Sequence, residues 1–105
     1  LHRAALKSKT ADVTALTNVF TGRPARGVVN RIMREVGPIA PEAPSFPLAA
    51  GAATPLRAAA EAKGSGDFTP LWSGQAALLA REMPVTAVVA ALVEGAAVAL
   101  KRVQG

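Results

Sequence analysis

The fold prediction depends on one short stretch, Asp12-Val13-Thr14-Ala15-Leu16-Thr17-Asn18-Val19-Phe20. Its β-branched residues and its shortness favour a strand. The rest of the chain offers no second strand, so this strand would leave its backbone donors and acceptors unpaired on both edges. The sequence therefore predicts a mainly α chain with one short strand. It also predicts an incomplete fold, the end of a longer β/α pattern.

Helical spacing of apolar residues covers most of the remaining sequence. Helices are predicted at 1–9, 27–36, 55–63, 71–82 and 85–103. Thr54-Pro55 and Thr69-Pro70 provide N-cap and first-turn signals for two of them. The last helix has the most regular apolar repeat, and Lys101 and Arg102 favour its C-terminal end. Between residues 37 and 47, four prolines predict an extended arm that contains neither helix nor strand.

The composition restricts the classes of protein that are possible. The chain has 105 residues, a formal net charge of +5 and no cysteine, which excludes disulfide scaffolds and thiolate metal sites. The basic residues are scattered and lack interleaved aromatic residues, so no nucleic-acid partner is predicted. Val85 to Leu100 is too short for a membrane span and contains Glu94. We expect a cytoplasmic protein, and the absence of an initiator Met at Leu1 suggests a piece of a longer chain.

Few residues are candidates for chemistry. His2 is the only imidazole, and no partner for a metal site or a nucleophile pair stands near it in sequence, so a surface position is expected. Gly64-Ser65-Gly66 is interpreted as a turn. Arg23 and Arg26 flank a tight turn and are able to hold a phosphate, although a salt bridge or loop hydrogen bonds are the more common use. No catalytic residue and no metal ligand is predicted.

The segment Leu71-Trp72-Ser73-Gly74-Gln75 is unusual. A glycine inside a helix costs about 1 kcal/mol relative to alanine. Gly74 lies between the only Trp and an amide side chain, which suggests that another group approaches the backbone there. A neighbouring helix and a bound ligand both remain possible explanations at this point.

Several blocks of sequence, in order, resemble one protein family. The first is Thr17-Asn18-Val19-Phe20-Thr21-Gly22-Arg23-Pro24-Ala25-Arg26-Gly27-Val28-Val29-Asn30-Arg31. It is followed by Ala43-Pro44-Ser45-Phe46-Pro47-Leu48 with Pro55-Leu56-Arg57-Ala58-Ala59-Ala60, and then by Asp67-Phe68-Thr69-Pro70-Leu71-Trp72-Ser73-Gly74-Gln75 with Leu79-Ala80-Arg81-Glu82-Met83-Pro84. Together they resemble the C-terminal third of the nitronate monooxygenases, also known as 2-nitropropane dioxygenases.

The resemblance implies a fold and an activity. Members of this family are FMN-dependent (β/α)8 TIM-barrel flavoproteins that oxidise alkyl nitronates with dioxygen to carbonyl compounds and nitrite. By this resemblance, the chain is the C-terminal part of the nitronate monooxygenase domain and packs on the missing barrel. Residues 1–11 would end the last barrel helix, 12–36 form a strand plus a short helix, 37–54 a Pro/Ala-rich arm, and 55–105 a helical extension.

The resemblance also assigns site residues. Ser73, Gly74 and Gln75 match a Trp-Ala/Ser-Gly-Gln motif that we expect near the flavin, so these three are the predicted cofactor-binding residues. The family's catalytic histidine and FMN phosphate loops have no counterpart here, and the fragment alone is expected to be inactive. Residues 49–53 are small where some members carry aromatic or polar residues, so the resemblance leaves substrate contacts from this loop open.

Two alternatives remain open from the sequence. One is a fragment of a related flavin-dependent reductase of the enoyl-reductase branch. The other is a free-standing, non-enzymatic helical interaction module that buries its Val-rich helix against a partner.

Overall fold

The structure is a computed structural model that describes the backbone of residues 1–105 and the side chains of residues 1–8 and 11–105. It contains four α-helices and two strands along this range: α1 His2–Lys7, β1 Thr14–Thr17, β2 Ala25–Val28, α2 Arg31–Glu35, α3 Ala49–Glu61 and α4 Val85–Gln104. Two 3-10 turns, Lys9–Asp12 and Ala77–Leu79, complete the regular structure. The predicted mainly helical character is confirmed, but the structure has a two-stranded sheet where the sequence predicts one strand.

The prediction of a lone strand was wrong. β1 pairs with β2 in an antiparallel ladder that runs from Thr14 opposite Val28 to Thr17 opposite Ala25. The apolar residues from Val28 onward have helical spacing, but the backbone of Gly27 and Val28 is used in the sheet. Helix α2 therefore begins only at Arg31.

The predicted helix over 71–82 is also absent. Gly27 forms an isolated antiparallel bridge with Trp72. The Val28 N–H donates to the Leu71 carbonyl at 2.8 Å, and the Ser73 N–H donates to the Arg26 carbonyl at 3.1 Å. These bonds add an extended segment beside β2, and only the 3-10 turn Ala77–Leu79 follows it. Pairing with β2 takes the place of the helix that the Thr69-Pro70 cap signal predicted.

Helix α3 begins earlier than the sequence predicts. It starts at Ala49 and contains Pro55 in its interior. Thr54 is therefore not an N-cap, and its hydroxyl donates back to the Ala50 carbonyl at 2.7 Å. Proline removes one helical N–H, but this helix is largely exposed, so water can bond the carbonyl that is left free.

The proline-rich segment 37–47 contains no helix or strand, as predicted, but it is not an extended surface arm. It folds as a series of turns, and Ala40 is buried with 1% of its surface exposed. The prediction of α4 is confirmed, since this helix covers Val85–Gln104. Its start after Pro84 and its apolar repeat are both local properties of the sequence.

The core consists of two small clusters of buried side chains. One contains Val19, Phe20, Ile32, Met33 and Ala40, and the other contains Ala11, Val28, Leu71 and Ala77. Ala15 of β1 and Trp72 pack against the first cluster, whereas Val28 of β2 and Leu71 belong to the second. Among the described residues, no helix combines the length and the apolar character needed to cross a bilayer.

Candidate functional site

The first sequence block that resembles the family, residues 17–31, forms hydrogen bonds that hold the turns at 37–46 in place. The Thr17 hydroxyl donates to the Pro38 carbonyl at 2.6 Å. Asn18 bonds both backbone groups of Ala40, with its Nδ2 donating to the carbonyl at 2.9 Å and its Oδ1 accepting from the N–H at 2.8 Å. Gly22 has a φ of +92°, and a Cβ there would lie 2.5 Å from the Phe46 nitrogen. These residues are polar or small because they meet backbone at close range.

The end of the same block holds residues 66–73, the Trp72 segment, in place through hydrogen bonds. Asn30 is buried, and its Nδ2 donates to the carbonyls of Gly66 at 2.9 Å and Thr69 at 2.8 Å. A Cβ on Gly27 would lie 3.0 Å from the Leu71 carbonyl oxygen, so only glycine allows this approach without a shift. The first and third blocks, separated in sequence, therefore meet through backbone hydrogen bonds.

Trp72 is held on its ring and on its backbone. Its ring packs edge-on against Phe20, with centroids 5.4 Å apart and an interplanar angle of 86°. Its carbonyl oxygen lies 2.8 Å from Nε2 of His2. Because a carbonyl oxygen only accepts, His2 donates this hydrogen bond. His2 is exposed, as expected, but it has a defined partner.

The predicted cofactor-binding residues follow directly after Trp72. Ser73 is half-buried, whereas Gly74 and Gln75 are exposed. A Cβ on Gly74 would have no atom within 4 Å, so a neighbouring helix is not the reason for this glycine. Neither Gln75 nor the hydroxyl of Ser73 hydrogen-bonds to another described residue. Trp72, which Phe20 and His2 hold in place, is thus followed by an open stretch of backbone and by an amide with no hydrogen-bond partner among the described residues.

This stretch fits one edge of a flavin site. An exposed glycine backbone allows close approach of a flat ring, and the Gln75 amide is able both to donate to and to accept from ring nitrogens and carbonyls. The described residues offer no glycine-rich turn opening a long helix, which is the usual phosphate cradle. They also hold no group of three or more His, Cys, Asp or Glu able to bind a metal ion. Most contacts to a flavin would have to come from elsewhere.

The two arginines considered for phosphate binding do not share a ligand site. Nη1 of Arg26 donates to the Thr14 hydroxyl at 3.1 Å across the sheet. The guanidinium of Arg23 stacks 4.9 Å above the ring of Phe46. Each cation has a structural partner within the fold, although neither contact is the salt bridge or the loop-carbonyl hydrogen bond that the sequence analysis expected.

A cleft of about 360 Å³ lies between α1 and the segment before α4. Its wall includes Glu82, which forms salt bridges to Arg3 at 2.8 Å and to Lys7. All three side chains are largely exposed, so these bridges contribute little stability on their own. They connect α1 to Glu82, which lies in the stretch between the 3-10 turn Ala77–Leu79 and α4.

Helix α4 has no buried residue over its 20 positions. Its large apolar side chains are exposed, among them Val85, Val89, Leu92, Val93, Leu100 and Val103. A helix that is apolar on most of its surface is normally covered on several sides. Within the described part of the chain, α4 lacks such a cover.

The structural roles of two residues that organise the site, Asn30 and His2, were not predicted from the sequence. Asn30 stands at the N-cap of α2, a position that would have predicted a cap, yet its amide bonds a loop 36 and 39 residues away. His2 bonds a carbonyl 70 residues away. No local pattern contains such pairings, because all three acceptors are backbone carbonyls, which every residue carries.

Comparison with known proteins gives one consistent result. The family model for nitronate monooxygenase matches residues 1–95. A nitronate monooxygenase from Pseudomonas aeruginosa is 43% identical over 94 residues, which are 89% of this chain and 27% of that protein. One from Paraburkholderia phytofirmans is 39% identical over 92 residues, covering 87% of this chain and 25% of that protein.

A solved structure agrees with these sequence relatives. The crystal structure of nitroalkane oxidase from Streptomyces ansochromogenes is 40% identical, with a TM-score of 0.84, over 97% of this chain and 29% of that one. The chain spans about a quarter of the length of the curated relatives it matches. On the family match and these identities, the chain belongs to the nitronate monooxygenase family.

Proposed function

We propose that this chain is the C-terminal part of an FMN-dependent nitronate monooxygenase, and that the segment Ser73-Gly74-Gln75 contacts the flavin. The observation that carries the proposal is that this segment follows directly after Trp72, which Phe20 and His2 hold in place, and is itself open to solvent. Family membership supports the reaction class, an oxidation. The expected substrates are alkyl nitronates and dioxygen, and the products are carbonyl compounds and nitrite.

The missing cover of α4 supports a larger assembly of the same polypeptide. The helix is about 30 Å long, which is comparable to the height of a small domain. Its apolar surface is suited to packing on a (β/α)8 barrel, and this barrel would also supply the phosphate loops that the described residues lack. The division of the chain at residues 11, 36 and 54 remains a prediction. The fragment alone is expected to be inactive.

The chain's own residues would act on one side of the flavin. When bound, FMN supplies the electron acceptor for nitronate oxidation. The Gln75 amide would hydrogen-bond the ring and orient it, and the Gly74 backbone would allow it to approach. The Trp72–Phe20 pair behind this segment would keep bulk water out. Orientation and water exclusion are thus the contributions of this chain.

The neutral nitroalkane is a second candidate substrate, because one similar solved structure is described as a nitroalkane oxidase. The neutral form thus competes with its anion, the nitronate, as the substrate. Initial rates with the two forms of one compound, each added freshly prepared, distinguish them. We expect the nitronate to react faster.

The direct test uses a hybrid enzyme in which this chain replaces the matched quarter of the Pseudomonas aeruginosa nitronate monooxygenase. We expect the hybrid to be yellow, with FMN bound in a 1:1 ratio, and to release nitrite from an alkyl nitronate in the presence of dioxygen. A hybrid that is insoluble, or folded but colourless, contradicts the proposal.

The flavin contact is tested with Gln75→Ala in the hybrid. Loss of a hydrogen bond should raise the Kd for FMN about threefold to tenfold and shift the visible absorption of the flavin. Gln104→Ala, at the end of α4, is the matched control and should change neither property. Equal behaviour of the two variants would remove Gln75 from the site.

A further inference from the structure

The peptide group between Trp72 and Ser73 is bonded at both of its ends. Its carbonyl accepts a hydrogen bond from His2 Nε2 at 2.8 Å, and its N–H donates to the Arg26 carbonyl at 3.1 Å. Because the peptide group is planar, two bonds on opposite sides fix its orientation. The direction in which the chain enters Ser73 and Gly74 is therefore set by His2 on one side and β2 on the other.

Few other contacts hold the residues that follow. Gly74 and Gln75 are exposed, and the next backbone bond is from the Ala77 N–H to the Gly74 carbonyl at 3.2 Å. Side-chain packing does not hold this position, since a Cβ on Gly74 would have no atom within 4 Å. The doubly bonded peptide group is the last firmly held point before the open segment.

Helix α1 is itself held over this segment at two further places. Leu6 packs against the cluster that contains Leu71 and Ala77. Arg3 and Lys7 both pair with Glu82, beyond the 3-10 turn. The imidazole is thus attached to a short helix that spans the segment from Trp72 to Glu82.

We propose that His2 is a positioning residue for the flavin-contacting segment, acting by donating its Nε2–H to the Trp72 carbonyl. The inference rests on the proposed function, since it needs Ser73-Gly74-Gln75 to face the flavin. His2 itself does not touch the cofactor. Its neutral form carries the proton on Nε2, because the carbonyl oxygen offers no proton in return.

The chemistry specifies which substitutions are informative. Glutamine places an amide N–H near the position of the histidine Nε2, so His2→Gln keeps the donor. His2→Ala removes it and leaves the carbonyl to water, which is accessible because the site is exposed. Arg34→Ala, an exposed cation on α2 outside this segment, is the control.

The three variants are compared in the hybrid enzyme by FMN titration, visible circular dichroism of the bound flavin, and separate kcat and KM values. We expect His2→Ala to raise the Kd for FMN about threefold to tenfold and to change the flavin dichroism. The melting temperature and far-ultraviolet spectrum should stay close to those of the parent. His2→Gln should restore both flavin properties, and Arg34→Ala should match the parent.

The outcomes separate this inference from the proposed function. If Gln75→Ala alters flavin binding but His2→Ala does not, the positioning role is overturned while the proposed function stands. A defect that His2→Gln fails to restore, or a His2→Ala hybrid that does not fold, also overturns it, because the role assigned is donation of one hydrogen bond. If Gln75→Ala and His2→Ala both leave the flavin unchanged, the flavin contact proposed for Ser73-Gly74-Gln75 is overturned together with the positioning role.

Discussion

The segment around Trp72 and the final helix α4 are held in opposite ways. The segment has almost no regular structure, yet backbone bonds to β2, the buried Asn30 amide and the Phe20 ring hold it in place. Helix α4 is fully regular, yet it buries none of its residues. The Trp72 segment thus has contacts to distant residues but little regular secondary structure, whereas α4 is a regular helix without packing partners in the described chain.

The contrast shows which part of the chain has its partners within the chain and which part has none there. Buried polar groups are costly to leave unpaired, and at the Trp72 segment the Asn30 Nδ2 is paired with two carbonyls while its Oδ1 is buried without a partner among the described residues. The apolar surface of α4 would gain free energy from burial at about 25 cal/mol per Å², but the described chain provides little to bury it. In the proposed full-length enzyme, packing against the barrel would add more burial to α4 than to the Trp72 segment.

The largest expected effect is at Gly22. Its φ of +92° disfavours a side chain, and a Cβ would collide with the backbone at residues 44–46. Gly22→Ala should destabilise the hybrid by about 3–5 kcal/mol from backbone strain and overlap combined. Gly51→Ala, in exposed α3 with nothing within 4 Å, should instead be neutral or stabilise by up to about 1 kcal/mol. Urea unfolding measures both, and similar values would contradict the tight packing at Gly22.

The next effect concerns the amide that holds the Trp72 segment. Asn30→Asp preserves size but places a carboxylate oxygen against the carbonyls of Gly66 and Thr69. We expect a loss of about 2–4 kcal/mol in the free energy of unfolding, because both acceptors lose their buried donor. Asn18→Asp tests the other loop in the same way. If Asn30→Asp unfolds at the urea concentration of the parent, the segment is held mainly by β2.

A third prediction asks whether α4 is covered in the complete enzyme. Leu92 is 68% exposed in this chain. If the barrel covers it, Leu92→Ala should cost about 2–3 kcal/mol in the hybrid, as for a buried leucine. Thr86→Ala on the same helix should change stability by less than about 0.5 kcal/mol. A leucine variant as stable as the parent would mean that this part of α4 faces water.

The smallest expected effect is a dependence on pH. The hydrogen bond from Arg57, and then that from Thr69, hold the pKa of the Glu61 carboxyl below its ordinary value. The folded carboxylate thus binds a proton less readily than the unfolded one. Its contribution is present above the unfolded pKa, about 4.3, and is lost as pH falls through the lowered folded pKa. Melting curves across this range should show a smaller acid loss for Glu61→Gln than for the parent, and parallel curves would contradict this.

The sequence predicted the local elements and missed the non-local ones. The apolar repeat and Pro84 were enough for α4, and the turn at Gly64 to Gly66 was also correct, with Gly64 at a φ of +75°. Strand β2 was hidden because Val28 fits a helical repeat as well as a strand. The helix predicted from Leu71 failed because an N-cap signal cannot report a bridge to Gly27, 45 residues earlier.

For the candidate site, the sequence supplied the residues and the structure supplied their surroundings. The resemblance pointed to Ser73, Gly74 and Gln75, whose flavin contact remains a prediction. It gave no reason for the glycine, which the structure leaves open to solvent. It also did not show that Asn30 and His2 hold the adjoining backbone, since their acceptors are carbonyl groups without a sequence signature.

By itself, the sequence determined the family, the helical character of α4 and the absence of disulfide chemistry, because these depend on residue identity and on spacing within a few turns. Only the tertiary structure decided that β1 has a partner, that Leu71 to Ser73 run beside β2, and that α4 remains uncovered in this chain. Those features depend on which distant backbone groups and surfaces come into contact, and hydrogen bonds between backbone groups leave little trace in the order of side chains.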